Sequence, residues 1–259
     1  MPDWITVIIL GIIEGLTEFL PVSSTGHLLI AEHWLGNRSE LFNVVIQAGA
    51  VVAVLAVFAG RAKALAFGWR DPANRDYLAK LSAAFLLTAI GGLAMKKLGL
   101  KLPKEVAPIA WATLIGGILF VAVEAWLRKR KPTEAVTWTI AIAVGLAQLV
   151  AVAFPGASRS GTTILIALIL GLSRSSAAEF SFLLGIPTLL AAGAKETLDA
   201  MKGHDAHEPW SHILLGTVVA AATAFVVVKW LLGYVRNHTF TPFGWYRIAI
   251  GLAILILLK

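Results

Sequence analysis

No cysteine occurs in the 259 residues, which excludes thiolate nucleophiles, thiolate metal ligands and disulfide bonds. Charge is scarce too: Asp, Glu, Lys and Arg make up 14% of the chain, against about 25% in soluble domains. With 58% hydrophobic residues and a mean hydropathy of +0.80, an ordinary soluble fold is excluded. A polytopic all-α membrane protein is expected instead. The start Met1-Pro2-Asp3 lacks a basic n-region, and no small-residue cleavage pattern follows. The first apolar segment therefore reads as part of the mature chain, not as a signal peptide. The net charge of +7 sits in loops such as Arg128–Lys131, with no basic stripe interleaved with aromatics. That pattern argues against a nucleic-acid partner and for membrane lipids with anionic headgroups. At this length the chain reads as a single integral-membrane domain over 1–259, with approximate repeat halves 1–131 and 132–259.

What the sequence does contain is charge in unexpected places. The first apolar segment, Trp4–Leu20, carries Glu14 and Glu18, four residues apart and so on one helix face. Each carboxylate costs about 2.5–3.5 kcal/mol near a bilayer centre on insertion scales, so a paired stripe needs a reason. Pro21 then stops the helix. Ser23, Ser24 and Thr25 offer N-caps for a short restart over Gly26–Leu35. A second segment, Trp138–Phe154, breaks in the same way at Pro155 and restarts after Ser158-Arg159-Ser160, giving a short piece over Thr162–Leu172. GIIEGLTEFLPVSS (Gly11–Ser24) aligns with GLAQLVAVAFPGAS (Gly145–Ser158), pairing Glu14 with Gln148, Pro21 with Pro155 and Ser24 with Ser158.

Unbroken apolar segments run over Phe42–Phe58, Leu78–Ala94, Val106–Leu127, Ala177–Ala194, Ile213–Leu232 and Tyr246–Leu258. The expected architecture is therefore six transmembrane helices plus two re-entrant helical hairpins, arranged as inverted repeats. Interrupted helices at matching places in two halves point to a binding site at the repeat interface. The loops holding Arg61, Arg70, Arg75 and Arg128–Lys131 read as cytoplasmic, with both termini on the other side. The cluster Lys96, Lys97, Lys101 and Lys104 falls on that other side and works against this orientation.

Arg159 is the costliest residue to place at depth, and its guanidinium fork suits phosphate or carboxylate. Ser158 and Ser160 flank it, and Thr162 and Thr163 lie one turn into the following helix. Two short helices whose N-termini converge would present free N–H groups and positive dipole ends to an anion. Helix capping by Ser23, Thr25, Ser158 and Ser160 would itself build that anion hole. Two carboxylates beside an anion receptor repel its ligand. A divalent metal with hard oxygen ligands, Mg²⁺ or Ca²⁺, would resolve the conflict.

EGLTEFLPVSSTGH (Glu14–His27) together with PGASRSGTT (Pro155–Thr163) resembles the undecaprenyl-pyrophosphate phosphatase family of the bacitracin-resistance (BacA) type. The likeness extends to AEFSFLLGIP (Ala178–Pro187) and TPFGWYR (Thr241–Arg247), and so to essentially the whole chain. It implies a bacterial inner-membrane enzyme that removes one phosphate from a C55 isoprenyl diphosphate. It also implies a divalent metal, a site open to the periplasm, and a homodimer. Carried over by residue, the catalytic set is Glu18, Ser24, His27 and Arg159, with Glu14 and Glu18 holding the metal. Ser23, Thr25, Ser158, Ser160 and Thr163 are the expected substrate contacts. Ser24 is the expected nucleophile, activated by Glu18 or His27. The rival assignment makes His27 the phospho-acceptor.

Other polar residues have plainer readings. Gln47 and Gln148 suit interhelical hydrogen bonds, and Glu124 with Arg128 forms an i,i+4 pair. Ser176 and Glu179 fit a capping box. Arg174 suits headgroups or substrate, and His204, Asp205, His207 and Glu208 form a polar loop. A lipid transporter or flippase is the alternative function, since broken-helix repeats are also a carrier architecture. An unrelated acid-phosphatase type is disfavoured, because its Lys–Arg-Pro motif with later His and Asp is missing.

Overall fold

A computed structural model describes residues 2–99, 105–201 and 208–257. Among these residues the chain forms eleven α-helices and no strand beyond an isolated bridge between Thr133 and Leu172. In order they are α1 (Asp3–Thr17), α2 (Ser24–Leu35), α3 (Glu40–Val57), α4 (Ala59–Phe67), α5 (Pro72–Lys97) and α6 (Val106–Leu127). There follow α7 (Trp138–Ala153), α8 (Arg159–Ile169), α9 (Arg174–Met201), α10 (Trp210–Tyr234) and α11 (Thr241–Leu257). Lys101, Lys104, His204, Asp205, His207 and Leu258 lie outside the described residues.

Five helices, α3, α5, α6, α9 and α10, are long and apolar enough to cross a membrane. The sixth expected span corresponds to α11, at 17 residues, while α7 and α8 are shorter apolar helices. The large apolar side chains of the outer surface are exposed, among them Leu86, Ile90, Ile118, Leu214, Val226 and Trp230. The interior instead holds Glu14, Glu18, Glu124, Gln148 and Arg247. Apolar outside and polar within is the arrangement a bilayer selects. Helix α4 has no counterpart in the sequence reading, which left Arg61 in a loop.

Side-chain stops set the helix starts. Ser39 accepts from the Phe42 N–H at α3 and Thr137 from the Ile140 N–H at α7. Asp71 caps α5, with Pro72 at its first position, where no N–H is needed. The caps of α2 and α8 are different. Ser23 and Ser158 have φ of 74° and 70°, and each accepts from the N–H three residues on. They are the non-glycine residues with positive φ among the described residues, an uncommon backbone state.

The two broken segments pack alike. Helix α1 lies along α10 with Gly15 against the Ala220 carbonyl, and α7 lies along α5 with Gly145 against the Ala84 carbonyl. Small residues let these backbones approach where lipid gives no hydrophobic drive for helix pairing. Helix α3 packs on α9, and α6 on α11. One end of the bundle is tied by Arg38, which pairs with Asp3 and Glu208. The other end is tied by Arg61 to Glu179, by Glu134 to Ser173 and Ser176, and by Arg174 to Glu124.

Two expected local contacts are replaced. Glu124 faces inward and bonds Arg174 and the Phe240 N–H, not Arg128, because it is 1% exposed and needs interior partners. Helix α9 is capped by Ser173 accepting from the Ser176 N–H, and Glu179 turns to Arg61 instead of closing a box with Ser176.

Candidate active site

Both broken segments bend inside the bundle, and their bends meet around a cavity of about 230 Å³. That is roughly seven to eight times the share of volume one water takes in the liquid. The bends contribute Glu18, Ser24, Thr25, Ser158 and Arg159 to its wall, and Gln47, Thr88, Gln148 and Thr188 close it from α3, α5, α7 and α9. Gln47 lies in the half of α3 nearer Glu40, and Thr88 in the half of α5 nearer Lys97. The cavity therefore sits toward the end of the bundle where Arg38 ties the chain.

Glu18 is the hub. The Ser24 Oγ donates to its Oε2 at 2.8 Å, and the Arg159 Nη2 donates to its Oε1 at 3.1 Å. Ser24 is the first residue of α2 and Arg159 the first residue of α8, so both follow the positive-φ caps directly. The cap geometry matches Ser23, not Ser24, with Ser158. The second bend holds one extra residue between its proline and its cap. Ser24 thus corresponds to Arg159, and the two halves supply a hydroxyl and a guanidinium at equivalent places.

Arg159 is held but not saturated. Its Nη1 donates to the Ser181 carbonyl at 3.4 Å, while its Nε is buried without a hydrogen-bond partner. Gly185 of α9 lies against the guanidinium, where a side chain would collide with it. Glu14 lies one turn before Glu18, fully buried and outside the cavity lining, and no donor group reaches its carboxylate oxygens, whose polar neighbour is the Glu18 carboxylate. A buried carboxylate left so costs several kcal/mol unless a proton or a cation compensates it.

The remaining sequence candidates separate into two groups. Thr25 and Ser158 face the cavity. Ser160 instead donates to the Leu20 carbonyl at 3.0 Å, tying one bend to the other, and Thr163 bonds the Arg159 carbonyl and Ser181. Ser23 Oγ accepts the Gly26 N–H in its cap bond, and Ser23 does not line the cavity. His27 does not line the cavity; its ring borders a separate apolar groove beside Tyr246, Leu20 and Trp230. Gln148 donates to Thr88 at 2.9 Å, as an interhelical bond, and also faces the cavity. Among the described residues no three His, Cys, Asp or Glu side chains cluster as a metal site.

Sequence reasoning missed Arg247. Its side chain is fully buried and faces only carbonyls: Pro21 at 3.1 Å, Gly156 at 3.1 Å and Ala157 at 3.0 Å from the two bends, with Ala112 and Thr113 from α6. One guanidinium therefore pins both bends to α6. Its signal was a lone arginine in an otherwise apolar helix.

A family model described as bacitracin resistance protein BacA matches residues 7–253. The chain belongs to the BacA family. It is 55% identical over 257 residues to a protein of Xylella fastidiosa (strain 9a5c) named undecaprenyl-diphosphatase, covering 98% of each chain. A Rhizobium johnstonii protein of the same name is 54% identical over 98% of this chain and 96% of its own. One from Xanthomonas euvesicatoria pv. vesicatoria is 52% identical over 99% and 97%. Each alignment takes in both bends, α9 and α11, so the BacA match covers every residue of the Glu18 hub.

Proposed function

We propose that this BacA family member hydrolyses undecaprenyl diphosphate to undecaprenyl phosphate and inorganic phosphate, returning the carrier lipid to cell-wall synthesis. The observation that carries the reading is the meeting of Ser24, Glu18 and Arg159 on one cavity wall. The cavity suits a diphosphate headgroup; a C55 chain must lie outside it, among lipid. Ser24 Oγ attacks the terminal phosphorus while its proton passes to Glu18. The anhydride P–O bond breaks and undecaprenyl phosphate leaves. Water then attacks the phosphoserine, Ser24 recovers a proton, and phosphate departs. Arg159, with its unpaired Nε, and the first N–H groups of α2 and α8 stabilise the charge on the transferring group.

Glu14 and Glu18 fit a hard divalent cation, because two buried oxygens that no donor group reaches stand beside a second carboxylate. Mg²⁺ commonly binds through one or two carboxylates plus substrate phosphates, which this donor set allows. When bound, Mg²⁺ or Ca²⁺ would offset the carboxylate charge against the diphosphate and polarise the phosphoryl oxygens.

The architecture we read is six crossings with two re-entrant hairpins, α1–α2 and α7–α8, in a single domain of two inverted halves. The matched caps and the parallel pairings of α1 with α10 and α7 with α5 support it. In the bacterial inner membrane the end holding Arg61, Arg70, Arg75 and Arg128–Lys131 would face the cytoplasm and the cavity the periplasm. The homodimer rests on the family resemblance alone.

Purified protein in detergent, with Mg²⁺ and a polyprenyl diphosphate, should release phosphate, whereas a lipid carrier needs two compartments and would release none. Ser24→Ala should abolish release, and quenched wild type should carry phosphoserine at Ser24. Full turnover by Ser24→Ala removes the assignment.

A further inference from the structure

We infer that His27 is a positioning residue, oriented by Tyr246, that holds the strained Ser23 backbone and so aims Ser24 at Glu18. The inference rests on the phosphatase reading above. The chemistry of the contacts fixes the proton. The His27 Nδ1 lies 2.7 Å from the Ser23 carbonyl oxygen, which can only accept, so Nδ1 carries hydrogen and donates. In the neutral ring Nε2 then has the lone pair, and it lies 2.7 Å from the Tyr246 hydroxyl, which donates to it. Both ring nitrogens are engaged. Neither is directed into the cavity, because the ring borders the groove on the other side of the bend. A base needs an available lone pair within reach of the serine, and this imidazole offers none.

The second bend shows what the imidazole replaces. After Ser158 the first backbone bond of α8 is well formed, with the Thr162 N–H donating to the Ser158 carbonyl at 2.9 Å. After Ser23 the equivalent bond from the His27 N–H is stretched to 3.4 Å, and the His27 side chain supplies the short bond to that same carbonyl. The first turn of α2 is thus opened where Ser24 leans to Glu18, and the imidazole keeps the positive-φ cap from relaxing. Tyr246 keeps the imidazole in the one tautomer that can do so. It is the neighbour of Arg247, so α11 braces the nucleophile's bend at two adjacent residues.

Asparagine and glutamine separate positioning from proton transfer. The amide nitrogen of Asn falls where His carries Nδ1, so His27→Asn can still donate to Ser23; Gln reaches the Nε2 position and cannot. Phosphate release in detergent should fall at least a hundredfold in kcat for His27→Ala and His27→Gln, and less than tenfold for His27→Asn. Tyr246→Phe should lower kcat about three- to tenfold with KM within twofold, and should cost nothing further in the His27→Asn background. Thermal unfolding of each variant identifies any that fail to fold. His27→Asn that is folded yet as inactive as His27→Ala, or phosphohistidine trapped at His27, overturns the inference and leaves the phosphatase reading standing. A wild type that releases no phosphate overturns both.

Discussion

Replacing Arg247 by Lys tests whether one buried side chain sets the separation of the two bends. Arg247 makes five hydrogen bonds to carbonyls, spread over Pro21, Gly156, Ala157, Ala112 and Thr113. Lysine carries a point charge with three donors and no planar fork, so at least two of those five acceptors lose their partner. The Thr113 hydroxyl has one proton and gives it to Ile109 at 2.9 Å ahead of Gly156 at 3.2 Å. Ala112 and Thr113 lie within α6, so the losses that matter fall on two of the bend carbonyls Pro21, Gly156 and Ala157. Leaving a buried acceptor unpaired costs about 1–3 kcal/mol, which puts the substitution at about 2–6 kcal/mol. Even the lower figure moves Tm by roughly 4–8 °C in a protein of this size. The loosened bends also carry Ser24 and Arg159, and a displacement of about 1 Å in a reacting group can cost about a hundredfold. Arg247→Lys, purified in detergent, should therefore lose several degrees of Tm and fall about ten- to a hundredfold in kcat. Arg247→Met, which fills volume without donors, should lose more of both. Unchanged Tm and kcat in the two variants would refute the pinning argument.

Gly185→Ala puts a methyl group where the Arg159 guanidinium lies, and should cut kcat/KM by about ten- to a hundredfold through displaced charge rather than unfolding; a kinetic assay beside a melting curve checks it. Chelation should stop phosphate release, with Mg²⁺ or Ca²⁺ restoring it. Glu14→Gln should raise the half-activating metal concentration by about tenfold or more, and an unshifted titration would remove Glu14 from the metal. The hydroxyls of Ser176 and Ser173 hold the Glu134 carboxyl below the usual carboxylate range. A depressed folded value gives stability that is present above the unfolded value of about 4.3 and lost as pH falls through the folded one. Glu134 is largely exposed, so Glu134→Gln should cost only a few tenths of a kcal/mol near pH 7 and nothing once the carboxyl is protonated, read by melting at both pH values.

The two broken segments were legible because proline, serine and misplaced charge stand out against apolar sequence. Glu18, Ser24 and Arg159 could be named, and the structure brings them together, for the same reason: each is expensive at depth without a shared purpose. What escaped depended on direction. An all-round apolar helix such as α11 has no periodicity to say which face is inside, so Arg247 could not be distinguished from a headgroup anchor. His27 stands three residues from Ser24 in one motif, and adjacency in sequence suggested a shared site. The ring turns instead to the Ser23 carbonyl and Tyr246, outside the cavity lining. Helix α4 mixes Arg61 and Lys63 with Ala and Leu too evenly to signal anything. The alignment of the halves slipped by one residue because sequence alone could not say which serine was the cap.

That slip matters for how two like bends would make one catalytic centre. A helix N-terminus with a strained serine cap is an anion receptor by itself, and two copies facing each other suit a diphosphate. Identical copies would bind it without cleaving it. The first residue after each cap is where the copies differ, hydroxyl in one and guanidinium in the other, and both meet the single carboxylate Glu18. Position 14 differs in the same sense: no donor group reaches Glu14, while its counterpart Gln148 bonds Thr88 across the helix interface. On the proposed mechanism one bend keeps the groups that would attack and hold metal, and the other keeps the group that would stabilise charge. Exchanging the pair, Ser24→Arg with Arg159→Ser, should preserve the charge balance at Glu18 yet give no turnover. The hydroxyl would then stand on the half that has no carboxylate at the position of Glu14.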